Sequence, residues 1–277
     1  MWSCPTCANP LELESKQWHC SNRHSFDVAK EGYVNLLLAN QKHSTDPGDN
    51  RLMINARRAF LQQDYYLPLA LHIAALLAKS VESNSVKPDK LRLHDAGCGE
   101  GYYLDRVVDS LAHQEIDVAG TGNDISKTAI AKASKKYSTQ GFAVASSFNL
   151  PLADASLNAL QQVFAPASSA EVFRVLEPNG LWLQVTPGPS HLTELKQSLY
   201  DTATLHQPQA AETEGFVQLQ QDSLTFELAL DDPISRENLL MMTPFYWAAK
   251  PSERPKIIQD MGRLTADFSL RVLQKSA

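Results

Sequence analysis

Hydrophobic and polar positions follow one another in a regular order along this chain. From Leu91 onward, apolar runs of strand length are separated by polar turns and by segments long enough for helices. Short apolar runs of about four to eight residues, bounded by turn residues, are typical of buried strands. The pattern predicts a strand beginning at Leu91 and further strands over 116–124, 142–145, 157–164 and 180–186. Two later runs, 216–230 and 265–273, are predicted to close the sheet in antiparallel fashion.

The first residues follow a different pattern. Positions alternate over 10–14 and again over 17–20, as in two short paired strands. Three of the four cysteines lie in this segment, in the arrangement Cys4-x2-Cys7-x12-Cys20-x3-His24. Two thiolates separated by two residues can face one ion, and a second pair completes a tetrahedron. The spacing predicts one structural zinc ion held by Cys4, Cys7, Cys20 and His24.

Two alternatives to this zinc site follow from the same residues. His19 competes with His24 as the fourth ligand, but it adjoins Cys20 and should point to the opposite side of a strand. A redox or disulfide pair of cysteines is disfavoured, because no other cysteine pair and no secretory signal are visible. A segment of about 35 residues has too small a core to fold without a staple, so a metal suits it.

Composition excludes several classes of protein. The 277 residues carry a net charge of −6, so an overall basic nucleic-acid binder is ruled out, while a local basic face is not. Residues 1–60 are the less acidic part, at +1 against −7 for the remainder. No apolar run approaches the ~20 residues of a membrane span. We therefore expect a cytoplasmic protein with no membrane partner.

A glycine-rich turn follows the strand that begins at Leu91. It has the pattern Asp95-x-Gly97-x-Gly99-x-Gly101, which differs from the dinucleotide fingerprint in its glycine spacing. Glycines let a ligand approach the backbone closely, and the Asp95 carboxylate can engage a cationic amino group. Cys98 within the turn is interpreted as a small packed residue rather than as a catalytic thiol.

The next strand ends in an acid, Asp124. In α/β nucleotide sites, an acid at the end of the second strand binds the ribose hydroxyls. Ser126 is predicted to cap a helix that runs to Tyr137. The third strand leads to Ser146. The glycine turn with an acid two residues ahead resembles motif I of class I methyltransferases, which bind S-adenosylmethionine. In that family the segment after the third strand contacts the adenine, and an aspartate is more common at the position of Ser146.

Taken together, these motifs resemble one family, the 23S ribosomal RNA guanine-N1-methyltransferases. The resemblance covers nearly the whole chain, through the zinc ligands and through residues 24–37, 44–49, 56–61, 95–103, 164–166, 185–192 and 242–245. Phe164 replaces a tyrosine, Asn123 replaces a hydrophobic residue, and Gln161 and Gln162 replace more apolar or basic ones.

The resemblance implies an α/β fold of the class I methyltransferase type. This is a Rossmann-like, mostly parallel sheet of seven strands, with a small zinc-ribbon-like module at the N-terminus. The expected organisation is a zinc-binding module over 1–37, a linker and helical segment over 38–85, and the methyltransferase domain over 86–277. The implied cofactors are S-adenosylmethionine and one structural zinc ion. The implied cofactor-binding residues are Asp95, Gly97, Gly99, Glu100, Gly101, Tyr102, Asp124 and Ser146.

The implied reaction is methylation of one guanosine N1 in the helix 35 region of 23S rRNA. Guanine N1 must lose its proton, and a carboxylate suits the N1–H and N2–H donors of that edge. Asp46 and Asp49 bracket a Pro-Gly turn and are the candidate bases, with Asp46 preferred. The alternative is a polar turn in which Asp49 caps the helix over 51–63. Candidates for stacking on the base are Phe164, Tyr33 and Trp247, and candidates for phosphate contact are Arg23, Lys30, Lys42, Arg51, Arg57 and Arg58.

Two other functions compete with this interpretation. A small-molecule methyltransferase shares the cofactor motifs but has no need of the zinc module. A noncatalytic rRNA-binding or assembly factor could retain the cofactor fold, although the intact Asp95 and Asp124 disfavour it. The family resemblance also implies a homodimer.

Overall fold

Three short antiparallel strands form the N-terminal module of the computed structural model, which describes residues 2–39, 48–83, 88–199 and 213–276. They are β1 (Glu12–Glu14), β2 (Gln17–His19) and β3 (Ser25–Asp27). The first two were predicted from the alternation. The third, which pairs with β2 through Trp18 and Phe26, was not.

An eight-stranded sheet forms the body of the molecule. Its strands are β4 (Val34–Asn35), β5 (Leu91–Ala96), β6 (Val118–Asp124), β7 (Gly141–Val144), β8 (Leu157–Val163), β9 (Leu176–Pro187), β10 (Phe216–Ala229) and β11 (Arg263–Lys275). The order across the sheet is β10-β11-β9-β8-β5-β6-β7-β4. All pairs from β4 to β9 are parallel, and β11 is antiparallel to both β9 and β10.

The seven predicted strands are confirmed, and an eighth is added. β4 is a two-residue strand that pairs with the outer edge of β7, where Leu36 N–H also donates to the Val144 carbonyl at 2.9 Å. The predicted count of seven was therefore one short, because the N-terminal segment supplies a strand too brief to show a period.

Helices cover both faces of the sheet. They are α1 (Arg51–Leu61), α2 (Leu67–Ser83), α3 (Tyr102–Ala112), α4 (Lys127–Lys136), α5 (Ser169–Val175), α6 (Thr193–Leu199), α7 (Pro233–Met241), α8 (Phe245–Ala248) and α9 (Arg254–Asp260). The apolar side of α2 is fully buried, and α2 packs against α3. No helix in the described ranges is long and apolar enough to cross a membrane.

Side-chain caps fix where two helices begin. Ser126 Oγ accepts the Ala129 N–H at 3.4 Å, which confirms the predicted start of α4. In α1, Asn50 Oδ1 accepts the Met53 N–H at 3.0 Å. The alternative in which Asp49 caps this helix is therefore wrong. Asn50 is the residue directly before the helix, and its side chain accepts the otherwise unpaired N–H of Met53.

The N-terminal module lies against the large sheet. Trp2 forms a β-bridge with Leu152, and Ser3 N–H donates to the Pro151 carbonyl at 2.9 Å. The Trp2 ring also meets the His94 ring edge-on at 6.1 Å. The module is thus joined to the loop that follows β7, as well as through β4.

Candidate active site and metal centre

The four predicted metal ligands come together in the N-terminal module. The ligand atoms of Cys4, Cys7, Cys20 and His24 all lie within 4.8 Å of one another. Each pair belongs to a tight turn: the Ala8 N–H donates to the Cys4 carbonyl at 2.8 Å, and the Arg23 N–H donates to the Cys20 carbonyl at 2.9 Å. His19 lies in β2 outside this cluster.

The spacing of these atoms fits zinc. A tetrahedral ion with Zn–S of about 2.3 Å and Zn–N of about 2.0–2.1 Å sets edges of about 3.8 Å between sulfurs and about 3.5 Å between sulfur and nitrogen. Cys7 Sγ lies 3.7 Å from Cys20 Sγ, and His24 Nδ1 lies 3.5 Å from Cys4 Sγ and 3.4 Å from Cys20 Sγ. With four protein ligands, the ion has no open position and is structural.

A second site lies at the carboxyl ends of the parallel strands. Strand order reverses between β5 and β8, and α/β folds bind ligands in the crevice at such a point. A cavity of about 820 Å³ opens there. It runs from the glycine turn after β5, past Asp124 and Ser146, to Phe164 and the 242–245 segment.

The glycine turn lines this cavity at Gly97 and Gly99, whereas Gly101 packs against Ala133 and Tyr137. Gly97, Gly99 and Gly101 have φ values of +77°, +54° and +84°, which L side chains rarely adopt. A Cβ atom at Gly97 would clash with Ala165 Cβ. A Cβ atom at Gly99 would have no neighbouring atom within 4 Å. The turn is therefore pressed against the loop after β8 on one side and leaves room for a ligand on the other.

Asp95 lies near the end of β5, beneath the glycine turn; it is almost fully buried and is not among the residues that line the cavity. Its Oδ1 atom has no hydrogen-bond partner among the described residues. Burial raises the pKa of Asp95 to about 7, the charge of Asp124 adds to the increase, and the neighbouring Gln161 amide partly offsets it. A buried acceptor without a partner is costly, so the site fits a ligand that brings a cationic donor to Asp95.

Asp124 ends β6 and, unlike Asp95, lines the cavity. Its Oδ2 accepts the Gly99 N–H at 3.0 Å, and its Oδ1 accepts the Ser126 N–H at 2.7 Å. Burial raises the pKa of Asp124 above its usual value, and these two hydrogen bonds oppose the shift. Each carboxylate oxygen keeps a lone pair for a ligand hydroxyl, as the ribose assignment requires.

Glu100 and Tyr102, also predicted to bind the cofactor, both line the cavity. Both carboxylate oxygens of Glu100 are buried without a hydrogen bond among the described residues, and Arg58 Nε lies 3.8 Å away. The pKa of Glu100 is raised to about 7 by burial, and nearby cations, Arg58 foremost, limit the increase. Tyr102 turns its hydroxyl away to donate to Asp64 Oδ1 at 3.0 Å.

Ser146 lies on the cavity wall after β7. Its Oγ accepts the Phe148 N–H at 3.1 Å, so the serine braces the turn expected to contact adenine. Asn123, the unusual residue before Asp124, supports the same wall. Its Nδ2 donates to the Ala145 carbonyl at 2.9 Å and to Ser147 Oγ at 3.3 Å.

A buried histidine explains why Asn123 is polar. Burial lowers the pKa of His94 to about 4, so the ring is neutral at pH 7. His94 Nε2 donates to Asn123 Oδ1 at 2.9 Å, and its Nδ1 accepts from the Thr121 hydroxyl at 2.9 Å. The polar residue at 123 therefore completes a satisfied network that begins on the neighbouring strand.

The far end of the cavity is aromatic. Phe164 follows β8 with φ +55° and is 41% exposed. Gln162 Nε2 donates to the Ala165 carbonyl, and its Oε1 accepts the Trp182 N–H at 3.1 Å. Gln162 thus holds the loop that carries Phe164, which explains why a polar residue occupies this position near the end of β8.

The other stacking candidates lie elsewhere. Tyr33 is 4% exposed and belongs to the core. Trp247 is 51% exposed but is not among the residues that line the cavity. Burial and nearby carboxylates raise the pKa of the Cys98 thiol well above its usual value, so it is a poor nucleophile.

The two candidate bases are placed differently. Asp46 lies outside the described residues. Asp49 lines the cavity and forms an ion pair with Arg57. The adjacent Gly48 packs against Ile125 and Ser126, so this turn approaches the cavity from the side of Asp124.

Sequence reasoning missed two polar residues at the aromatic end, His191 and Lys196. The Asp267 N–H donates to His191 Nδ1 at 3.2 Å, which leaves the proton of the neutral ring on Nε2. Burial lowers the pKa of Lys196, and the nearby Asp267 opposes the shift. His191 lies in a segment already quoted for the family, whereas nothing in the sequence distinguishes Lys196 from a surface lysine.

Comparisons with protein families agree with the two sites. Residues 2–45 match the zinc-ribbon family described as the N-terminal part of RlmA, and residues 94–183 match the methyltransferase domain family. The first match contains all four predicted metal ligands, and the second contains the glycine turn and the two acids predicted to bind the cofactor.

Relatives match over most of the chain. The 23S rRNA (guanine(748)-N(1))-methyltransferase of Streptomyces fradiae is 33% identical over 264 residues, covering 93% of this chain and 90% of the relative. A Micromonospora griseorubida protein, provisionally named a 23S rRNA (guanine-N(1)-)-methyltransferase, is 36% identical and covers 71% and 68%. Among solved structures, the YcgJ protein of Bacillus subtilis is 16% identical, with a TM-score of 0.47 over 74% of this chain and 99% of its own.

Proposed function

Because this chain belongs to the family of 23S rRNA (guanine-N1)-methyltransferases, we propose that it transfers a methyl group from S-adenosylmethionine to N1 of one guanosine in 23S rRNA. One observation carries the proposal. A single cavity joins the glycine turn and Asp124 to an aromatic end lined by Phe164, with Asp95 buried behind the turn, in a chain that also carries the zinc module. We further propose the helix 35 hairpin region as the target, a homodimer as the working form, and a cytoplasmic location.

The proposed cofactor site fits S-adenosylmethionine by the chemistry of its donors and acceptors. Asp95 supplies a buried acceptor for the amino group, Asp124 supplies acceptors for the ribose hydroxyls, and Ser146 belongs to the wall beside the adenine. The bound cofactor supplies an electrophilic methyl group. The protein must then hold guanine N1 in line with that methyl group and remove its proton.

The aromatic end of the cavity suits a guanine base that has left its stack. Phe164 offers a ring face to the base, and such stacking is worth about 1–3 kcal/mol per base in nucleic-acid binding sites. As N1 loses its proton, negative charge spreads to O6. We propose that Lys196 stabilises that charge, because a cation held in a partly dry cavity acts strongly. The proton acceptor remains Asp46 or Asp49.

Replacing Asp124 with alanine is expected to weaken cofactor binding by about 10- to 100-fold, since hydrogen bonds to a charged group are worth about 1.5–3 kcal/mol. Isothermal titration calorimetry measures the affinity, and circular dichroism checks that the variant folds. Asp124→Asn, which keeps one acceptor oxygen, should bind with intermediate affinity. An unchanged affinity in the alanine variant would remove Asp124 from the site.

Cofactor affinity is expected to rise with pH between about 6 and 8. The pKa of Asp95 is raised to about 7 by burial, so its carboxyl is mostly protonated below that pH and ionised above it. A cationic amino group prefers the ionised form, and binding below pH 7 must therefore release a proton. Glu100, whose pKa is also raised to about 7, titrates in the same range.

Titration calorimetry at pH 6, 7 and 8 measures this dependence. The Asp95→Asn variant separates the two acids, because it should bind more weakly at pH 8 and lose most of the pH dependence. If the variant and the wild type show the same rise with pH, Glu100 is the titrating group and Asp95 does not meet the amino group.

A transfer assay with two acceptors tests the proposed function against its alternatives. The protein is incubated with tritiated S-adenosylmethionine and either deproteinised rRNA or a small-molecule extract. We expect label in the rRNA alone. Label in the extract alone would indicate a small-molecule methyltransferase. Label in neither, with intact cofactor binding, would indicate a noncatalytic factor.

A further inference from the structure

Cationic side chains are concentrated on two helices beside the cavity. α1 and α4 together contain seven of the 25 lysines and arginines and no acidic residue: Arg51, Arg57, Arg58, Lys127, Lys132, Lys135 and Lys136. The remainder of the chain therefore carries 18 basic and 31 acidic residues, a formal charge of −13. We call these seven residues the basic face.

The two helices lie together at the rim of the cavity. α1 packs against α4, and residues of both line the cavity, among them Met53 and Arg57 of α1 and Ala129 of α4. The buried side of α4 consists of Ala129, Ile130, Ala133 and Ser134. The four lysines occupy the opposite side, so they point away from the sheet.

Five of these seven cations form no ion pair within the described ranges, and two of the five, Lys132 and Lys136, lie near enough to the buried Glu100 to lower its pKa. Within the described ranges, Arg51 and the four lysines of α4 form no ion pair, while Arg57 pairs with Asp49 and Arg58 with the buried Glu100. Elsewhere on the surface, some exposed cations do pair, as Lys90 does with Asp117 and Arg263 with Glu227. Unpaired cations repel one another, and a polyanion would relieve that repulsion.

We propose that the basic face binds the phosphate backbone of the rRNA that enters the cavity. This inference rests on the proposed function and adds the surface that holds the substrate. Phosphates position an RNA without reading its sequence, and lysines and arginines are the residues that contact them. A membrane surface is the less suitable partner, because Thr128 and Ala131 are the side chains between the lysines of α4 that are not buried, and Leu52 is the single large apolar side chain exposed on α1.

The test uses Lys127 and Lys135, which are exposed and do not line the cavity. The double variant Lys127→Gln, Lys135→Gln is compared with Lys79→Gln, Lys256→Gln, an equal loss of charge from exposed positions on α2 and α9. Binding to a 23S rRNA transcript is measured by fluorescence anisotropy at several salt concentrations. Thermal melting and cofactor titration check that fold and cofactor site are unchanged.

Each phosphate contact contributes about 0.7–0.9 to the slope of log affinity against log salt, so the α4 variant should lose about 1.4–1.8 from the slope. The control variant should match the wild type. An unchanged slope in the α4 variant, or an equal loss in the control, would overturn the proposal. A different combination of results would also overturn the proposal. In it, the wild type binds phosphatidylserine vesicles, and the α4 variant loses that binding while the slope of its RNA affinity against salt is unchanged.

The wild type is assayed for rRNA methylation in parallel. If it methylates rRNA and the α4 variant keeps the full salt slope, the basic face is overturned and the proposed function stands. If it binds the transcript with the expected loss of slope in the variant but transfers no methyl group, the basic face is supported and the proposed function falls.

Discussion

Replacing Asp46 with asparagine is expected to slow methyl transfer to rRNA by about 10²- to 10⁴-fold, the usual cost of removing a general base. Guanine N1 is a poor nucleophile while it holds its proton, and asparagine cannot accept that proton. Single-turnover rates with saturating cofactor measure the effect. The amide keeps the size and polarity of the side chain. Cofactor affinity should therefore change by less than about threefold, as it does for ordinary surface substitutions.

Asp49→Asn is the matched control for this experiment. Asp49 carries the same carboxylate but pairs with Arg57 on the side of Asp124, so its loss should alter cofactor affinity more than the rate of transfer. If Asp46→Asn lowers the rate by less than about threefold at neutral pH while Asp49→Asn lowers it by 10²-fold or more, a general base effect, the roles of the two residues are exchanged.

Loss of the zinc site is the second change with a large expected effect. Cys7→Ser should abolish stoichiometric zinc binding and unfold the three-stranded sheet, since metal binding in so small a module is also its folding free energy. We expect rRNA methylation to fall by about 100-fold or more, equivalent to about 2.7 kcal/mol. Cofactor affinity should persist, because the cavity is built from the large sheet and its helices.

His19→Ala is the control for the zinc variant. His19 adjoins Cys20 but lies outside the ligand cluster, so this variant should keep one zinc ion per chain. Metal analysis of protein purified without chelators would refute the site if it found no zinc in the wild type. Full rRNA methylation by the zinc-free variant would keep the metal site but remove its role in substrate binding.

The sequence predicts what local patterns encode. The cysteine spacing is local, and the four ligands meet as expected. The apolar runs of the seven main strands are also local, and the mostly parallel sheet that they form follows from the family resemblance. β4 could not be predicted, because two residues carry no period and Val34–Asn35 becomes a strand only through the free edge of β7. The pairing of β4 with β7 at the edge of the sheet depends on the tertiary fold and not on the local sequence.

The polar and charged residues of the site also depend on contacts between distant segments, which local patterns do not show. Glu100 belongs to the glycine motif, but nothing in the motif shows that Arg58 approaches it from another helix. Asn123 looks like a departure until β5 brings His94 beside it. The four lysines of α4 are ordinary on a helix surface, and they gain meaning only because α1 adds its arginines to the same rim. Interactions between distant segments decide all three cases.

The identity of the methylated atom distinguishes a guanine-N1-methyltransferase from every other RNA methyltransferase. Deproteinised 23S rRNA is labelled with tritiated S-adenosylmethionine, digested to nucleosides and separated by chromatography. We expect a single labelled species, 1-methylguanosine, whose yield falls about 10- to 100-fold when Asp124→Ala protein replaces the wild type at a cofactor concentration below the wild-type Kd. Label in any other nucleoside, or no label from a wild-type protein that binds the cofactor, would contradict it.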